Sequence, residues 1–240
     1  MKKKIFKDYE LKEPEEDLEI VSKDQSSKPI VISDFRKKGI STILIRKNTK
    51  VLFKSYFDTK KIFFLEKNAE LNSYDLGKNV NLEVSLLEEN SVFNQKGLLI
   101  GDGDWKVIVK HQTEKTSSNV QIKNLVDAGE FSKIEGIIKI DDGCPKASGN
   151  LEITSLLLSD SARVYSLPIL EISTDDVSCT HSASVTKLDQ EEIFYLMSRG
   201  LSQQEAEDLL IKSFKESDEI IEDMISYLER NSEQEEKNES

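Results

Sequence analysis

The pattern of apolar and polar positions divides the chain into regions of different character. Residues 1–28 are mostly charged, and few apolar residues recur among them. From residue 29 to residue 187, short apolar runs alternate with the turn formers Asn, Asp, Gly and Ser. Helical spacing follows over 188–230, and 231–240 is polar throughout. The pattern predicts a polar N-terminal arm, a β core, a C-terminal helical domain and a disordered tail.

The central region is predicted to be all β, because its apolar runs have strand length and no helical spacing joins them. The predicted strands cover 30–32, 40–46, 61–65, 81–87, 97–101, 105–111, 119–126, 134–140, 150–158 and 167–172. Hairpin signals such as Asn-Gly are scarce, and several runs are apolar on both faces, which is typical of parallel pairing. A parallel β-helix fits these features, but no fixed repeat is visible. The pattern therefore leaves a β-sandwich as an equal alternative.

The C-terminal region carries clear helix signals. Asp189, followed three residues later by a glutamate, predicts the start of a helix over 190–198, and Gly200 supplies a left-handed stop. Ser202, again followed by a glutamate, predicts the start of a second helix. The segment "KESD" at 215–218 is expected to kink or break that helix before further apolar residues follow.

Composition and charge limit the function. A net charge of -12 disfavours a nucleic-acid partner, since little could neutralise phosphates. The opening "MKKKIF" resembles the start of a signal peptide, but the charged "KDYELKEPEEDLEI" follows in place of an apolar stretch. No run approaches the ~18 apolar residues of a membrane span. We therefore expect a cytoplasmic protein that binds neither nucleic acid nor membrane.

The chain has two cysteines and two histidines. Two thiols do not make a disulfide framework, so reduced cysteines are expected. A structural zinc site needs about four ligands and would require His111, Cys144, Cys179 and His181 all to converge. That site is a minor alternative.

The segment "DDVSCTHSAS", residues 175–184, concentrates candidate chemistry on a predicted strand. Strand spacing separates its residues into an apolar row that holds the Cys-x-His pair and a row of hydroxyls. The apolar row is Val177, Cys179, His181, Ala183 and Val185, and the hydroxyl row is Ser178, Thr180, Ser182, Ser184 and Thr186.

Two interpretations of the Cys-x-His pair remain open from the residues alone. In the first, Cys179 is a small buried apolar residue and His181 a hydrogen-bonded core histidine. In the second, His181 is a metal ligand or proton carrier, and Cys179 could join it. Side chains two residues apart on a strand lie about 6–7 Å apart, so the pair as it stands is not a chelate. Other acidic motifs, "GDGD" at 101–104 and "DDG" at 141–143, are interpreted as turns. Phosphate-binding glycine loops and a serine-nucleophile elbow are absent from the sequence.

From His111 onward the sequence resembles the SufB/SufD family of the SUF iron–sulfur cluster assembly machinery. The resemblance is carried, in the family's order, by "HQTEKTSSNVQIKNLVD", "IEGIIKI", "LLLSDSARVYSLPILEISTDDVSCTHSAS" and "LDQEEIFYLMSRGL". It implies a right-handed parallel β-helix followed by a small helical domain, which would decide between the β-helix and the sandwich. The long N-terminal helical region usual in SufD-like proteins is expected to be reduced here to residues 1–28 or lost.

The resemblance also implies a function as a non-catalytic scaffold subunit. Its expected partners are a second SufB/SufD-type subunit, a SufC-type ABC ATPase docked on the C-terminal helices, and sulfur-delivery proteins. No cofactor is expected to bind stably: the iron–sulfur cluster would be transient and shared with the partner, and flavin binding stays open. A homodimeric SufB/SufD-type scaffold is the close alternative. A carbohydrate-active β-helix enzyme is a distant one, disfavoured by the apolar row around His181.

Within the family, the chain resembles SufD more than SufB. Ala162 stands where SufB-like chains carry a cysteine, and Ser182 follows His181 where they tend to carry a glutamate. The SufD-like histidine is implicated in cluster formation at the subunit interface, which transfers to His181 as an interface residue and metal-ligand candidate. Cys179 matches the pattern and is assigned to the same interface. Candidates for ATPase docking are Tyr195, Arg199 and Phe214, whereas Phe194 is expected to pack the helical domain.

Overall fold

The computed structural model describes residues 3–11, 15–22, 28–37, 39–215 and 218–238. In these residues, sixteen strands precede three helices. The strands are β1 Lys3–Ile5, β2 Tyr9–Leu11, β3 Glu15–Ile20, β4 Ile30–Asp34, β5 Ile40–Ile45, β6 Lys50–Ser55, β7 Lys60–Leu65, β8 Glu70–Leu76, β9 Asn79–Leu86, β10 Val92–Ile100, β11 Gly103–His111, β12 Ser117–Val126, β13 Phe131–Ile140, β14 Ser148–Leu157, β15 Arg163–Ile172 and β16 Ser178–Lys187. The helices are α1 Gln190–Ser198, α2 Gln203–Lys215 and α3 Glu219–Asn238.

The strands alternate between two parallel sheets of eight. The odd-numbered strands form one sheet, which we call sheet A, and the even-numbered strands form the other, sheet B. Each coil of the chain adds one strand to each sheet, and successive coils stack with parallel register. The fold is therefore a right-handed parallel β-helix, as predicted, and the sandwich alternative is wrong.

The interior of the β-helix is filled by every second residue of each strand. Strands such as β5, β6 and β7 alternate buried and half-buried positions, although apolar residues occupy both kinds of position. Because the register is parallel, each inward residue stacks on the inward residue of the next coil. One such column through sheet A is Ile43, Phe63, Val84, Val109, Ile138 and Leu170.

One corner repeats in five consecutive coils. At this corner a residue with positive φ precedes a small buried residue. The left-handed residues are Asn48, Asn68, Asn90, Lys115 and Lys146, and the buried residues that follow them are Thr49, Ala69, Ser91, Thr116 and Ala147. The N–H of Asn48 donates to the carbonyl of Lys67 in the next coil at 2.9 Å. The spacing between corners lengthens at every coil, so the repeat has no fixed period and is not visible in the sequence.

The structure corrects the prediction for residues 1–28. The described part of this region forms β1, β2 and β3, which belong to the two sheets. Each strand places only one or two apolar side chains in the core, too few to make a local pattern; these are Ile5, Leu11, Leu18 and Ile20. Residues 1, 2, 12–14 and 23–27 lie outside the described residues. Strands β6 and β8 were also absent from the sequence prediction.

The helices follow the predicted signals. The Asp189 side chain accepts a hydrogen bond from the Glu191 N–H at 2.8 Å, and Gly200 has a φ of 101°. At α2, Glu205 Oε2 accepts from the Ser202 N–H at 2.7 Å, which completes a capping box. The expected break falls between α2 and α3. Helix α3 continues to Asn238, eight residues beyond the predicted limit of the helical domain, so the predicted tail is helical in its described part.

The helical segment does not form an independent domain, because α3 packs on the outer face of sheet B. Its buried Ile221 and Met224 form one apolar cluster with residues at the carboxyl ends of β6, β8 and β10. These residues are Tyr56, Leu76 and Leu98. Lys96 of β10 pairs with Asp218, just before α3, at 2.6 Å. Removing α3 would therefore uncover apolar surface of the β-helix.

Candidate functional site at the open end of the β-helix

The last coil of the β-helix is open to solvent. Strands β15 and β16 end their sheets, and within the described residues each pairs with another strand on one side only. Inward-facing apolar side chains of this coil consequently remain accessible: Ile172 is 43 % exposed and Val185 is 52 % exposed. No described part of the chain covers them, so the apolar core of the β-helix is exposed to solvent at this end.

The Cys-x-His pair lies on β16, with the predicted alternation. Cys179 stacks on Gly149 and His181 stacks on Leu151, both inward positions of β14. Cys179 is half-buried against the core, and this burial raises the pKa of its thiol. His181 is exposed. The apolar row that holds Cys179 and His181 therefore points into the interior of the β-helix. Because no further coil covers the last one, the same row is also accessible from the open end.

The imidazole of His181 bridges the two sheets. Its Nδ1 lies 3.2 Å from the carbonyl oxygen of Pro168 on β15. A carbonyl can only accept, so this hydrogen bond requires the proton to be on Nδ1. In the neutral ring Nε2 then keeps its lone pair, as in histidines that bind metals while a backbone carbonyl holds the other nitrogen.

The other histidine and cysteine lie inside the β-helix. His111 is fully buried, with Nδ1 at 2.7 Å from the Thr116 hydroxyl and Nε2 at 2.9 Å from the Ser118 hydroxyl. Burial lowers the His111 pKa to about 4. Cys144 is also buried, and its Sγ lies 3.5 Å from the His111 carbonyl oxygen.

In the described residues, no three His, Cys, Asp or Glu side chains are grouped to hold a metal ion. The four-ligand zinc alternative is therefore not supported, and His181 offers one nitrogen rather than a complete site. The acidic motifs behave as turns: the Asp102 carboxylate accepts the Phe131 N–H at 2.6 Å, and Gly143 takes a left-handed φ of 75°.

An asparagine ladder on the outer face of sheet B leads to the site and was not predicted. Thr180 donates to Asn150 Oδ1 at 2.6 Å, and Asn150 donates to Asn119 at 2.9 Å. Asn94 continues the same column and donates to Asn72 at 2.9 Å. These residues are more than twenty positions apart in sequence, so only the stacking of coils brings them together.

The three predicted docking residues differ in exposure and in the residues they contact. Tyr195 on α1 is 55 % exposed and accepts a hydrogen bond from Arg199 Nη2 at 3.2 Å. Phe214 instead is half-buried at the end of α2, where Lys123 of β12 donates to its carbonyl at 2.9 Å and lies over its ring. Phe194 is 73 % exposed, contrary to the packing role expected from the sequence. Phe194 and Tyr195 are therefore exposed aromatic residues close to Arg199 in the chain. Phe214 instead contacts Lys123 and holds α2 against sheet B.

These features define the class of protein: a parallel β-helix whose unfinished last coil presents a histidine, joined to a helical segment with an exposed aromatic face. The chain belongs to the SufBD family, since the family model "SUF system FeS cluster assembly, SufBD core domain" matches residues 55–214, more than half of the chain. In the described residues, no helix is long and apolar enough to cross a membrane.

Curated relatives support the resemblance to SufD in particular. The chain is 34 % identical over 111 residues to the iron-sulfur cluster assembly protein SufD of Escherichia coli, covering 46 % of this chain and 26 % of that protein. It is 36 % identical over 127 residues to SufD of Bacillus subtilis, covering 53 % and 26 %. A SufBD family protein of Pyrococcus horikoshii is 33 % identical over 131 residues, covering 53 % and 29 %. The matched segment thus spans just over a quarter of the length of these relatives.

Proposed function

We propose that this protein is a non-catalytic scaffold subunit for iron–sulfur cluster assembly. In this function it pairs through its open coil with a SufB/SufD-type subunit, and a SufC-type ATPase docks on its C-terminal helices. The observation that carries the proposal is the exposed His181, whose Nδ1 is held by Pro168 so that Nε2 points its lone pair away from that contact.

The ligand count supports a shared site and not one within this chain. Iron–sulfur clusters are held mainly by thiolates, with histidine as a less common ligand. Here the open coil offers one imidazole and one half-buried thiol whose pKa is raised by burial. A partner must therefore supply further ligands, and sulfur-delivery proteins must supply sulfide. The cluster is cargo that leaves the complex, with no stably bound cofactor in this chain.

The shape of the open end supports pairing. A solenoid needs a polar terminal coil to remain soluble on its own, whereas this one exposes Ile172 and Val185. Its two terminal strands also leave backbone groups unpaired in the described structure, which favours contact with another sheet. A second SufBD-type β-helix would cover both features at once.

Replacing His181 with alanine is expected to reduce cluster yield in the reconstituted complex by about tenfold or more, because the imidazole that this chain contributes as a ligand of the cluster is lost. The measurement is the visible absorbance and the iron and sulfide content of the complex with its partner subunit and ATPase. Ser184→Ala, a neighbouring outward position on β16, is the matched control and should keep the full yield. Undiminished yield in the His181→Ala complex would contradict the assignment.

The docking surface is expected to include Tyr195 and Arg199. Replacing Arg199 with glutamate should weaken binding of the SufC-type ATPase by on the order of tenfold, because it reverses a charge beside an exposed aromatic pair. Binding is measured by calorimetry, with Arg230→Glu on α3 as a control for the same charge change. If Arg199→Glu and Arg230→Glu bind the ATPase with equal affinity, the docking surface lies elsewhere.

Deleting 201–240 is a less informative test of docking, because it also uncovers Tyr56, Leu76 and Leu98.

A further inference from the structure

A cavity lies between the outer face of sheet B and the junction of α2 with α3. It has a volume of about 250 Å³ and is lined by three adjacent strands, β10, β12 and β14, and by the facing ends of the two helices. Neither the open coil nor the exposed aromatic face of α1 contributes to it. The charged residues that line it are Lys96, Lys123, Glu152, Lys215 and Asp218.

The cavity has an excess of positive charge. Both of its carboxylates already have partners: Asp218 pairs with Lys96 at 2.6 Å, and Glu152 accepts from Gln121 Nε2 at 3.2 Å. The ammonium of Lys215 has no hydrogen-bonding or ion-pair partner among the described residues. Three lysines thus stand against two carboxylates, in a chain whose net charge is -12. The local charge favours an anion.

Lys123 is half-buried in the wall of this cavity. Its ammonium donates to the Phe214 carbonyl at 2.9 Å and lies over the Phe214 ring. Burial lowers the pKa of Lys123, the charge of Glu152 raises it, and the charge of Lys96 lowers it. An anion beside Lys123 would stabilise its charged form, because an opposite charge offsets the cost of desolvation.

An apolar groove adjoins the cavity. It has a volume of about 320 Å³ and lies between α3 and the carboxyl ends of β6, β8 and β10. Leu98 and Lys215 line both spaces, and Lys78 and Glu229 add one charge of each sign to the groove. The other apolar residues of the groove are Tyr56, Phe57, Leu76, Ile100, Ile225 and Leu228. Together the two spaces have the size of a small-molecule site, roughly 300–1,000 Å³.

We propose that the cavity and the groove together bind a phosphate monoester with an apolar body. The phosphate lies in the cavity against Lys123 and Lys215, and the apolar body lies in the groove on Leu98 and Ile100. Lysine binds phosphate as a point charge, which suits two ammonium groups that reach one cavity from a strand and a helix. Thr154, which also lines the cavity, adds a hydroxyl donor.

Calorimetric titration of the full chain with hexyl phosphate tests the class of ligand. We expect one site per chain and an affinity at least about tenfold higher than for inorganic phosphate or for hexanol, because only hexyl phosphate fills both spaces. Inorganic phosphate that binds as tightly as hexyl phosphate would show that the groove takes no part. Hexanol that binds as tightly would show the same for the lysines. Either result overturns the proposal.

Lys215→Met tests the cationic end and is expected to weaken binding of hexyl phosphate about tenfold. This variant is preferred to one at Lys123, which also holds α2 against sheet B through Phe214. Lys212→Met makes the same change at an exposed position of α2 that does not line the cavity, and it should bind like the wild type. Circular dichroism checks that both variants are folded.

Ile100→Ser tests the apolar end. It is expected to weaken binding of hexyl phosphate by about tenfold while leaving the weaker binding of inorganic phosphate unchanged, because it removes only apolar contact. Ile172→Ser is the matched control at the open coil, since Ile100 and Ile172 are both 43 % exposed. The pair of variants therefore distinguishes the groove from the exposed core of the last coil.

Saturable binding that is weakened in Lys215→Met and Ile100→Ser, and kept in both controls, supports the proposal. No saturable binding of hexyl phosphate at millimolar concentration overturns it. Equal losses in Lys215→Met and Lys212→Met, or a loss in Ile172→Ser and not in Ile100→Ser, overturn it as well. His181 lines neither space, so cluster assembly, tested with His181→Ala, stands or fails independently.

Discussion

Replacing Lys61 with methionine is expected to destabilise the protein by about 3–5 kcal/mol, because it leaves the buried carboxylate of Asp75 without its cation. Both side chains are fully buried inside the β-helix, with Lys61 Nζ 2.9 Å from Asp75 Oδ1. Lys61 also donates to Ser55 Oγ at 2.6 Å, while Asp75 accepts from Ser73 Oγ at 2.9 Å and from Gln95 Nε2 at 3.0 Å. These hydrogen bonds orient the pair. In the Lys61→Met variant, the remaining neutral donors cannot neutralise the negative charge of Asp75. Urea denaturation measures the loss as a lower midpoint with an unchanged slope.

Two further variants separate the lost pair from the lost lysine. Lys60→Met changes the neighbouring residue of β7, which is exposed, and should alter the free energy of unfolding by less than about 0.5 kcal/mol. The double variant Lys61→Met with Asp75→Leu removes both charges and should recover most of the stability, since apolar replacements of buried ion pairs are often neutral or stabilising. A double variant no more stable than Lys61→Met would show that packing, and not the unpaired carboxylate, causes the loss.

Lowering the pH from 7 to 4 is expected to cost about 3 kcal/mol of stability through His111 alone. Burial lowers the pKa of His111 from 6.5 to about 4 in the folded protein. Between these values the unfolded chain binds a proton that the folded chain does not, so stability falls as the pH drops through this window. Below about pH 4 both states are protonated and the contribution of His111 stays constant.

The measurement is the free energy of unfolding against pH for the wild type and for His111→Asn. The variant removes the titration, although it also changes the hydrogen bonds to Thr116 and Ser118. The slope, and not the absolute stability, is therefore the quantity to compare. His181→Asn is the control for the same substitution at an exposed position, outside the buried hydrogen bonds of His111. Parallel curves for the wild type and His111→Asn would refute the assignment.

Local signals in the sequence were enough for several elements. Strands β4, β5, β7 and β9 to β15 were predicted from their apolar runs, as was the helix over 190–198 with its Asp189 cap. The separation of Cys179 and His181 from the hydroxyl row was also predicted, because side-chain direction alternates along any strand. Each of these features depends on residues within about one strand or one helical turn of each other.

Other features depend on residues that only the stacking of coils brings together. Strand β8 has polar inward residues, so its pattern does not predict a buried strand; Asp75 is tolerated there because Lys61 comes from the facing sheet. Gly97 is required because the buried ring of Trp105 lies where a Cβ would be, 2.2 Å from the nearest ring atom. The asparagine ladder and the contact between His181 and Pro168 have the same origin.

The strand and helix segments with strong periodicity, the two faces of β16 and the resemblance to the SufB/SufD family can all be predicted from the residues alone. The tertiary structure decided that the N-terminal region joins the sheets, that α3 folds back on sheet B, and that Phe214 is used within the chain. The physical reason is that periodicity reports which side of a segment is apolar, whereas stacking and packing partners depend on residues distant in the chain.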